Sequence, residues 1–491
     1  MGVLFPEFSL HSYFLQLGKD QLTENLLNEI LSDGVHIELS THYHQLSLKS
    51  CLEFVELAQM NDIAIDRSLL QRLAKGLEFY QFMQHPNGEI PLINDADEGD
   101  FRYVLKQGSC LFQDESLLWA ATLGSEGKPP QILSKYFDRS GYFVFCDTWG
   151  KDSETYQHRQ HVFYDCAQLG EGTHAHFDLF SFCYYVNGQP AIIDPGRYTY
   201  DAIPDQNGIN WRKAFKSTAY HNTVEIDGKD QTCYIPKAKP GKFKFGSPIE
   251  VLERDFCLGN RSDWVSAKAK SAEYSPIHQR FFLYMHRQYL LILDRVYIDD
   301  AQSHQCTLRF HLSPEFIDRV SLKPAEHSVI AIAPALTIHT YQTPGLNAQI
   351  ESGWASKKYG IKTPAPVIAL TQVQSESLCF CTAIAPSTAP QSNLEILSLQ
   401  RMNDPTDTIL LLRVEGILNG QLFYDYFCFS QQNTPAWFQR FGLTFRGHFL
   451  GIRIDHQGKL IYLISQKAQQ IEIETDFQFT SEVEQSIEWL V

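Results

Sequence analysis

The chain lacks any run of about 18 apolar residues, the length that a membrane-spanning helix requires. Its eleven cysteines include no Cys-x-x-Cys pair, and an odd count without a spacing framework gives no support for obligatory disulfides. The first residues, Met-Gly-Val-Leu-Phe-Pro-Glu-Phe, have neither a basic region nor a long apolar core, so no signal peptide is visible. With 44% hydrophobic and 20% charged residues, the composition is that of an ordered globular protein.

Positive charge is also scarce. The chain has 41 Lys and Arg residues and 57 Asp and Glu residues. The resulting net charge of −16 argues against nucleic acid as a partner. One stretch opposes this balance, because nine cations and five acids lie between Arg197 and Lys244. A solvated surface is the more common meaning of such a cluster, and the alternative is a rim that faces a polyanion. The cations are Arg197, Arg212, Lys213, Lys216, Lys229, Lys237, Lys239, Lys242 and Lys244.

Helical spacing of apolar residues dominates roughly the first 130 residues. A helix is predicted over Leu22–Leu31, ending at Asp33-Gly34, and a second over about Leu46 to Gln59. Asp66 is a predicted N-cap for a third helix, which His85-Pro86-Asn87-Gly88 would end. We therefore expect residues 1–130 to form a helical domain.

From Tyr142 onward the pattern has period two. Strand-like runs separated by turn residues recur over some 350 residues, which predicts a large antiparallel β-sandwich over 131–491. The expected fold class is thus α+β and multidomain. The clearest runs are Gly141–Asp147, Phe281–Met285, Tyr289–Asp294, Leu308–Leu312 and Leu422–Phe429.

Three histidines and an aspartate are distributed around predicted strands. In an extended segment His174 and His176 would point to one face, before a strand over Phe180–Val186 that ends at Asn187-Gly188, a hairpin signal. The return strand delivers Asp194, and His221 precedes a further strand. Three adjacent strands would then bring two imidazoles and a carboxylate together, a set that suits a zinc-type ion. The alternative is that these side chains are ordinary surface or satisfied groups.

These segments resemble the heparinase II/III-like polysaccharide lyases. The resemblance rests on three ordered runs spread over about sixty residues, His174–Phe182, Gly188–Tyr200 and Phe215–Gln231. It implies part of an (α/α) toroid followed by an antiparallel β-sandwich, and β-elimination at a uronic acid. It also implies an acidic polysaccharide as partner, a structural zinc at His176, Asp194 and His221, a catalytic role for His174, and a location in the periplasm or cell envelope. The oligomeric state is left open.

Elimination at a 4-O-linked uronate needs a base for the proton at C5, stabilisation of the enolate, and an acid for the departing O4. The segment Asp33–His44 is similar to the family's loop carrying the catalytic tyrosine, which is here Tyr43. The remaining positions are interpreted as substrate contacts: Glu38, His44, Arg197, Tyr200 and Arg212. Asn94–Asp100 is interpreted as a turn rather than a calcium-like loop. Tyr43 and His174 should face one cleft with room for a sugar ring, and the basic residues between Arg197 and Lys244 should line its rim.

The family's asparagine–histidine pair has no match before Asp33. Either the reading frame is truncated or mis-started, or another residue neutralises the substrate carboxylate. Two alternatives to a lyase therefore stay open. One is a degraded member that only binds exopolysaccharide, and the other is a zinc-dependent hydrolase, because two histidines and a carboxylate can activate water.

Overall fold

The computed structural model describes residues 2–237, 242–387, 393–402, 408–431, 435–440, 442–473 and 476–490. Lys239 of the predicted basic cluster lies outside these residues. Among the described residues, no helix is both long and apolar enough to cross a membrane. The helices, numbered in chain order, are α1 (His11–Glu29), α2 (Thr41–Met60), α3 (Arg67–Met83), α4 (Tyr103–Phe112), α5 (Glu115–Ala121), α6 (Ser153–His158) and α7 (Trp211–Lys216).

The first five helices form the partial toroid. Asp66 caps α3 as predicted, because its carboxylate accepts a hydrogen bond from the Ser68 amide. Helix α2 begins five residues earlier than predicted. The Ser40 hydroxyl accepts a hydrogen bond from the Tyr43 amide, so Tyr43 lies in the first helical turn and not in a loop.

A five-stranded antiparallel sheet lies next to the helices. One of its faces packs on α2 and α3 through Tyr142, Val144 and Phe163, and the other face turns Phe143 and Phe145 into the core of the sandwich. This alternation follows from the period-two geometry of a strand. Its strands, in spatial order, are β1 (Ser134–Phe137), β2 (Tyr142–Cys146), β3 (His161–Asp165), β4 (Phe182–Val186) and β5 (Gln189–Ile192).

Two further sheets complete the sandwich, together with a two-stranded hairpin of β7 (Tyr234–Pro236) and β8 (Phe243–Phe245). The four-stranded sheet contains β6 (Val224–Ile226), β13 (His304–His311), β17 (Asn347–Lys358) and β18 (Ile361–Gln374). The eight-stranded sheet contains β9 (Glu250–Leu258), β10 (Asp263–Lys270), β11 (Ile277–Met285), β12 (Tyr289–Tyr297), β14 (Ser321–Pro324), β15 (Ser328–Ile332), β16 (Leu336–Tyr341) and β19 (Leu378–Pro386).

The C-terminal strands form two more layers. Phe281 and Leu283 on the outer face of the eight-stranded sheet pack against Phe427 and Phe449 of the first layer. That layer contains β20 (Leu394–Met402), β21 (Ile409–Leu418), β22 (Gln421–Ser430), β25 (Phe449–Asp455), β26 (Leu460–Gln466) and β29 (Glu488–Leu490). The second contains β23 (Ala436–Arg440), β24 (Leu443–Gly447), β27 (Ala468–Ile473) and β28 (Phe477–Gln485).

The structure agrees with the predicted fold class, a partial toroid followed by a large antiparallel β-sandwich. Helices give way to strands between Ala121 and Ser134, although the domain boundary at residue 130 itself stays a prediction. The prediction of three adjacent strands around the histidines is wrong. The strand that follows His221, β6, pairs with β13 in the four-stranded sheet rather than with β5.

Arg280 ties β11 to the segments that carry the histidines. Its guanidinium is fully buried, and Nε and Nη2 donate to Asp294 at 2.7 and 2.9 Å. Nη1 donates to the backbone carbonyl of Asn222 at 2.7 Å and to that of Phe180. One side chain thus fixes the residue after His221 relative to the residues that precede β4.

Replacing Arg280 with Met should lower the free energy of unfolding by about 3–5 kcal/mol, because it leaves the Asp294 carboxylate buried without its guanidinium partner. Urea unfolding followed by circular dichroism measures this. Arg319 is exposed, so Arg319→Met should change the free energy by less than about 0.5 kcal/mol. A loss at Arg280 no larger than the loss at Arg319 would contradict this role.

Candidate functional site

Four buried side chains converge where the segment before β4, the end of β5 and the loop before β6 meet. The predicted ligands His176, Asp194 and His221 lie together with a fourth residue, Asp178, which the sequence analysis missed as a ligand. One donor atom from each of the four lies within 4.8 Å of the others. Two imidazoles and two carboxylates are a donor set that could hold a divalent cation.

The second nitrogen of each imidazole is held by the protein. His176 Nε2 lies 3.0 Å from Asp95 Oδ1, while its Nδ1 is buried without a hydrogen-bond partner. His221 Nε2 lies 3.2 Å from the Phe215 carbonyl, so Nδ1 faces Asp194 at 3.2 Å. Metal-binding histidines are oriented in this way by carboxylates and carbonyls. The residues present therefore fit a metal, with Nδ1 of both histidines as the nitrogen donors.

Negative charge accumulates in this buried group. Burial raises the pKa of the Asp178 carboxyl, and the neighbouring Asp194 raises it further, although His221 lowers it. Burial also raises the pKa of Asp165, to which the charges of Asp178 and Asp194 add. Burial alone would lower the pKa of His221, but Asp194 and Asp178 raise it overall. The two clustered carboxylates of Asp178 and Asp194, buried together, favour the presence of a cation.

A second, half-buried cluster contains both predicted catalytic residues. The rings of Tyr43 and His174 are stacked, with centroids 4.3 Å apart and planes inclined by 19°. The Tyr43 hydroxyl lies 2.8 Å from the Tyr200 hydroxyl, and His174 Nδ1 lies 2.7 Å from Glu38 Oε2. The helical region contributes Tyr43 to this cluster, and the sandwich region contributes His174.

The gap predicted between the two catalytic residues is absent. The stacked rings leave no room for a sugar between Tyr43 and His174. His174 and His176 point in different directions because residues 172–178 form an irregular loop and not a strand. His174 is therefore partly exposed while His176, two residues later, is buried.

Two arginines, Arg197 and Arg212, contact Tyr200. Arg197 stacks on the Tyr200 ring at 4.3 Å and forms an ion pair with Asp97 at 2.6 Å. Arg212 donates a hydrogen bond to the Tyr200 carbonyl at 3.0 Å. Burial raises the pKa of Tyr43, and the charge of Arg197 partly offsets this by lowering it.

Three predicted contact or rim residues are corrected. His44 is fully buried, its Nε2 lies 3.0 Å from the Gly76 carbonyl, and burial lowers its pKa to about 3, so it belongs to the helical core and does not reach a substrate. Arg197 is only 7% exposed and paired, and thus supports Tyr200 rather than lining an open rim. Lys216 is 1% exposed and pairs with Asp95. The described cations that remain exposed in this stretch are Lys213, Lys229, Lys237, Lys242 and Lys244.

Asp95 connects the two clusters. Burial alone would raise the pKa of its carboxyl, but Lys216 and the hydrogen bond to His176 lower it to about 2. Its amide donates to the His174 carbonyl at 3.0 Å, and Lys216 Nζ lies 3.3 Å from the same carbonyl. The predicted turn over Asn94–Asp100 therefore has a specific task, since it anchors the His174 backbone to the buried group. Neither Asp95 nor Lys216 carries a sequence signal for this pairing, because they are 121 residues apart.

The sequence matches two models of one protein family. The family model "Heparinase II/III N-terminus" matches residues 1–119, and "Heparinase II/III-like, C-terminal" matches residues 129–394. A heparin-sulfate lyase of Bacteroides stercoris is 28% identical over 249 residues, covering 48% of this chain and 35% of that protein. A heparin-sulfate lyase of Pedobacter heparinus is 24% identical over 301 residues, covering 60% of this chain and 42% of that protein.

The solved structures include the heparan sulfate lyase HepC from Pedobacter heparinus. It superimposes with a TM-score of 0.69 at 20% identity, over 86% of this chain and 63% of that one, which shows the shared fold. The chain spans less than half the length of the curated relatives that it matches. Since the C-terminal family model alone covers more than half of the sequence, the chain belongs to the heparinase II/III-like family.

Proposed function

We propose that this protein is a polysaccharide lyase that cleaves a uronic-acid-containing polysaccharide by β-elimination at Tyr43 and His174. The observation that carries the proposal is the contact between these two partly exposed rings, one on helix α2 and the other on the loop before β4. The names of the relatives, all heparin-sulfate lyases, support the reaction class.

The hydrogen bonds divide the proton transfers between the two residues. When His174 donates its Nδ1 proton to Glu38, Nε2 is left unprotonated and can accept the proton from C5. Tyr43 keeps its proton at rest because burial raises its pKa, so its hydroxyl can protonate the departing O4. Tyr200, 2.8 Å from the Tyr43 hydroxyl, can then stabilise the tyrosinate by donating a hydrogen bond.

Because Tyr43 and His174 lie side by side, both transfers would take place on one face of the sugar. This favours a glucuronate-type residue, whose C5 proton and O4 leave from the same side, over its C5 epimer. The −16 net charge of the chain favours a polymer with little sulfation. Asn94 does not replace the family's asparagine, because its side chain is bonded to the Leu39 carbonyl, the Tyr142 hydroxyl and the His176 amide.

The metal proposed for the buried group is zinc, in a structural role. Four protein donors, each at most 5% exposed, form a closed site, whereas a catalytic zinc keeps one position open to water. The same burial disfavours the zinc-dependent hydrolase. Zinc would supply positive charge to Asp178 and Asp194 and hold His176 and His221 in place. The compartment proposed is the periplasm or cell envelope, which is supported by the family alone.

A panel of uronate polymers tests the reaction and the substrate together. Unsulfated polymers of glucuronate, sulfated ones and polymers of the C5 epimer are each mixed with the protein while ultraviolet absorbance is followed. The expected result is a rise from the unsaturated uronate product, fastest with the unsulfated glucuronate polymers. Binding of these polymers without any rise would instead favour the degraded, binding-only member.

A further inference from the structure

We propose that Tyr359 forms a sugar-stacking subsite beside Tyr43 and His174, a role that rests on the proposed lyase function. Tyr359 lies at the turn between β17 and β18, far in sequence from the predicted motifs. Tyr359 is 50% exposed, although it is a large aromatic residue whose ring packs against that of Tyr200. The ligand class is a pyranose ring, which presents a flat face of C–H groups to an aromatic ring.

The Tyr359 ring extends the aromatic cluster of Tyr43, His174 and Tyr200. Its centroid lies 5.7 Å from that of Tyr200, and the guanidinium of Arg197 lies 5.4 Å from it. The Tyr200 hydroxyl in turn is hydrogen-bonded to the Tyr43 hydroxyl. A polymer bound across Tyr43 and His174 would therefore meet Tyr359 with the neighbouring sugar, on a surface backed by a cation.

The turn is held rigidly in this position. The Gly360 amide donates to the Tyr198 carbonyl at 2.7 Å, and the Ser356 amide donates to the Pro195 carbonyl at 2.7 Å. On the other side, the Lys357 carbonyl accepts from the Glu98 amide at 2.8 Å. These bonds flank Tyr359 and attach the turn to the segment that carries Tyr200. A turn whose backbone is fixed in this way loses little conformational freedom when a ligand binds, which increases affinity.

Affinity for a defined oligosaccharide tests the subsite without relying on turnover. The full chain carrying Tyr43→Phe is titrated by calorimetry with an unsulfated hexasaccharide of alternating glucuronate and N-acetylhexosamine. Adding Tyr359→Ala should weaken binding about tenfold through loss of the aromatic surface. Adding Tyr359→Phe should change it by less than about twofold, because the ring and not the hydroxyl makes the contact. Ile361, 61% exposed on the same hairpin, supplies the control Ile361→Ala, which should bind as the parent does.

Unchanged affinity with Tyr359→Ala, equal loss with Tyr359→Phe, or no binding by the parent would overturn the subsite. The outcome is separable from that of the lyase proposal. If the wild-type chain eliminates no polymer but Tyr359→Ala still weakens binding, the subsite stands and the lyase function fails. If elimination occurs and Tyr359→Ala changes neither the affinity nor KM, the function stands and the subsite fails.

Discussion

Replacing Tyr43 with Phe is expected to lower the rate of elimination by about 10²–10⁴-fold, the range typical of a lost general acid or base. The substitution removes only the hydroxyl. The ring remains to stack on His174, and Ser40 still caps the helix through the backbone amide of residue 43. The melting temperature and the metal content should therefore stay unchanged. The initial rate of absorbance increase with the best polymer of the panel measures the effect.

Tyr13, which is 60% exposed on α1, supplies the matched control. Tyr13→Phe removes the same group outside the cleft and should leave the rate as it is. A Tyr43→Phe variant that keeps more than about half of the wild-type rate would contradict the role of the hydroxyl as an acid.

The second large effect is expected from His221→Ala. It removes one donor of the buried group and leaves Asp178 and Asp194 without the partner that faces them. Zinc content measured by mass spectrometry should fall from about one equivalent to near zero, since a structural site needs its full ligand set. A ligand present at about 1,000 times its Kd stabilises the folded state by about 4 kcal/mol, so the melting temperature should also fall by several degrees.

Activity should fall with the metal. Asp95 joins His176 to the backbone of His174, so a less ordered buried group should also displace His174, the proposed base. The control is His161→Ala, because His161 is equally buried but bonded to the Phe82 carbonyl, away from the metal group. The His161→Ala variant should be less stable, because it loses the packing of a buried ring, but it should retain its zinc. Full zinc content in His221→Ala would refute the assignment.

The sequence was sufficient for elements that follow from local patterns. The hairpin between β4 and β5 turns at Asn187 and Gly188, which both have positive φ, as an Asn-Gly turn requires. The Asp66 cap and the strand at Tyr142–Cys146 also agree with their local signals. The start of α2 is also determined locally, by the Ser40 cap, five residues before the predicted start.

Contacts between residues far apart in the sequence could not be predicted from local patterns. His221 lies beside His176 although the strand that follows it, β6, joins a different sheet, and no periodicity reveals which sheet a strand enters. Asp178 is spaced two residues from His176, but the irregular loop and not strand geometry places it among the ligands. The burial of His44 arises from packing of α2 on α3, and that of Lys216 from its pairing with Asp95 across 121 residues of sequence.

The most direct test of the account is to digest an unsulfated glucuronate polymer in water enriched in the oxygen-18 isotope. The masses of the released fragments are then measured by mass spectrometry. Elimination breaks the C4–O4 bond and adds no water. We therefore predict fragments whose new end is an unsaturated uronate, lighter by one water than a hydrolysis product and free of the label. Fragments that carry one heavy oxygen at the cleavage point would show hydrolysis and contradict the proposed reaction.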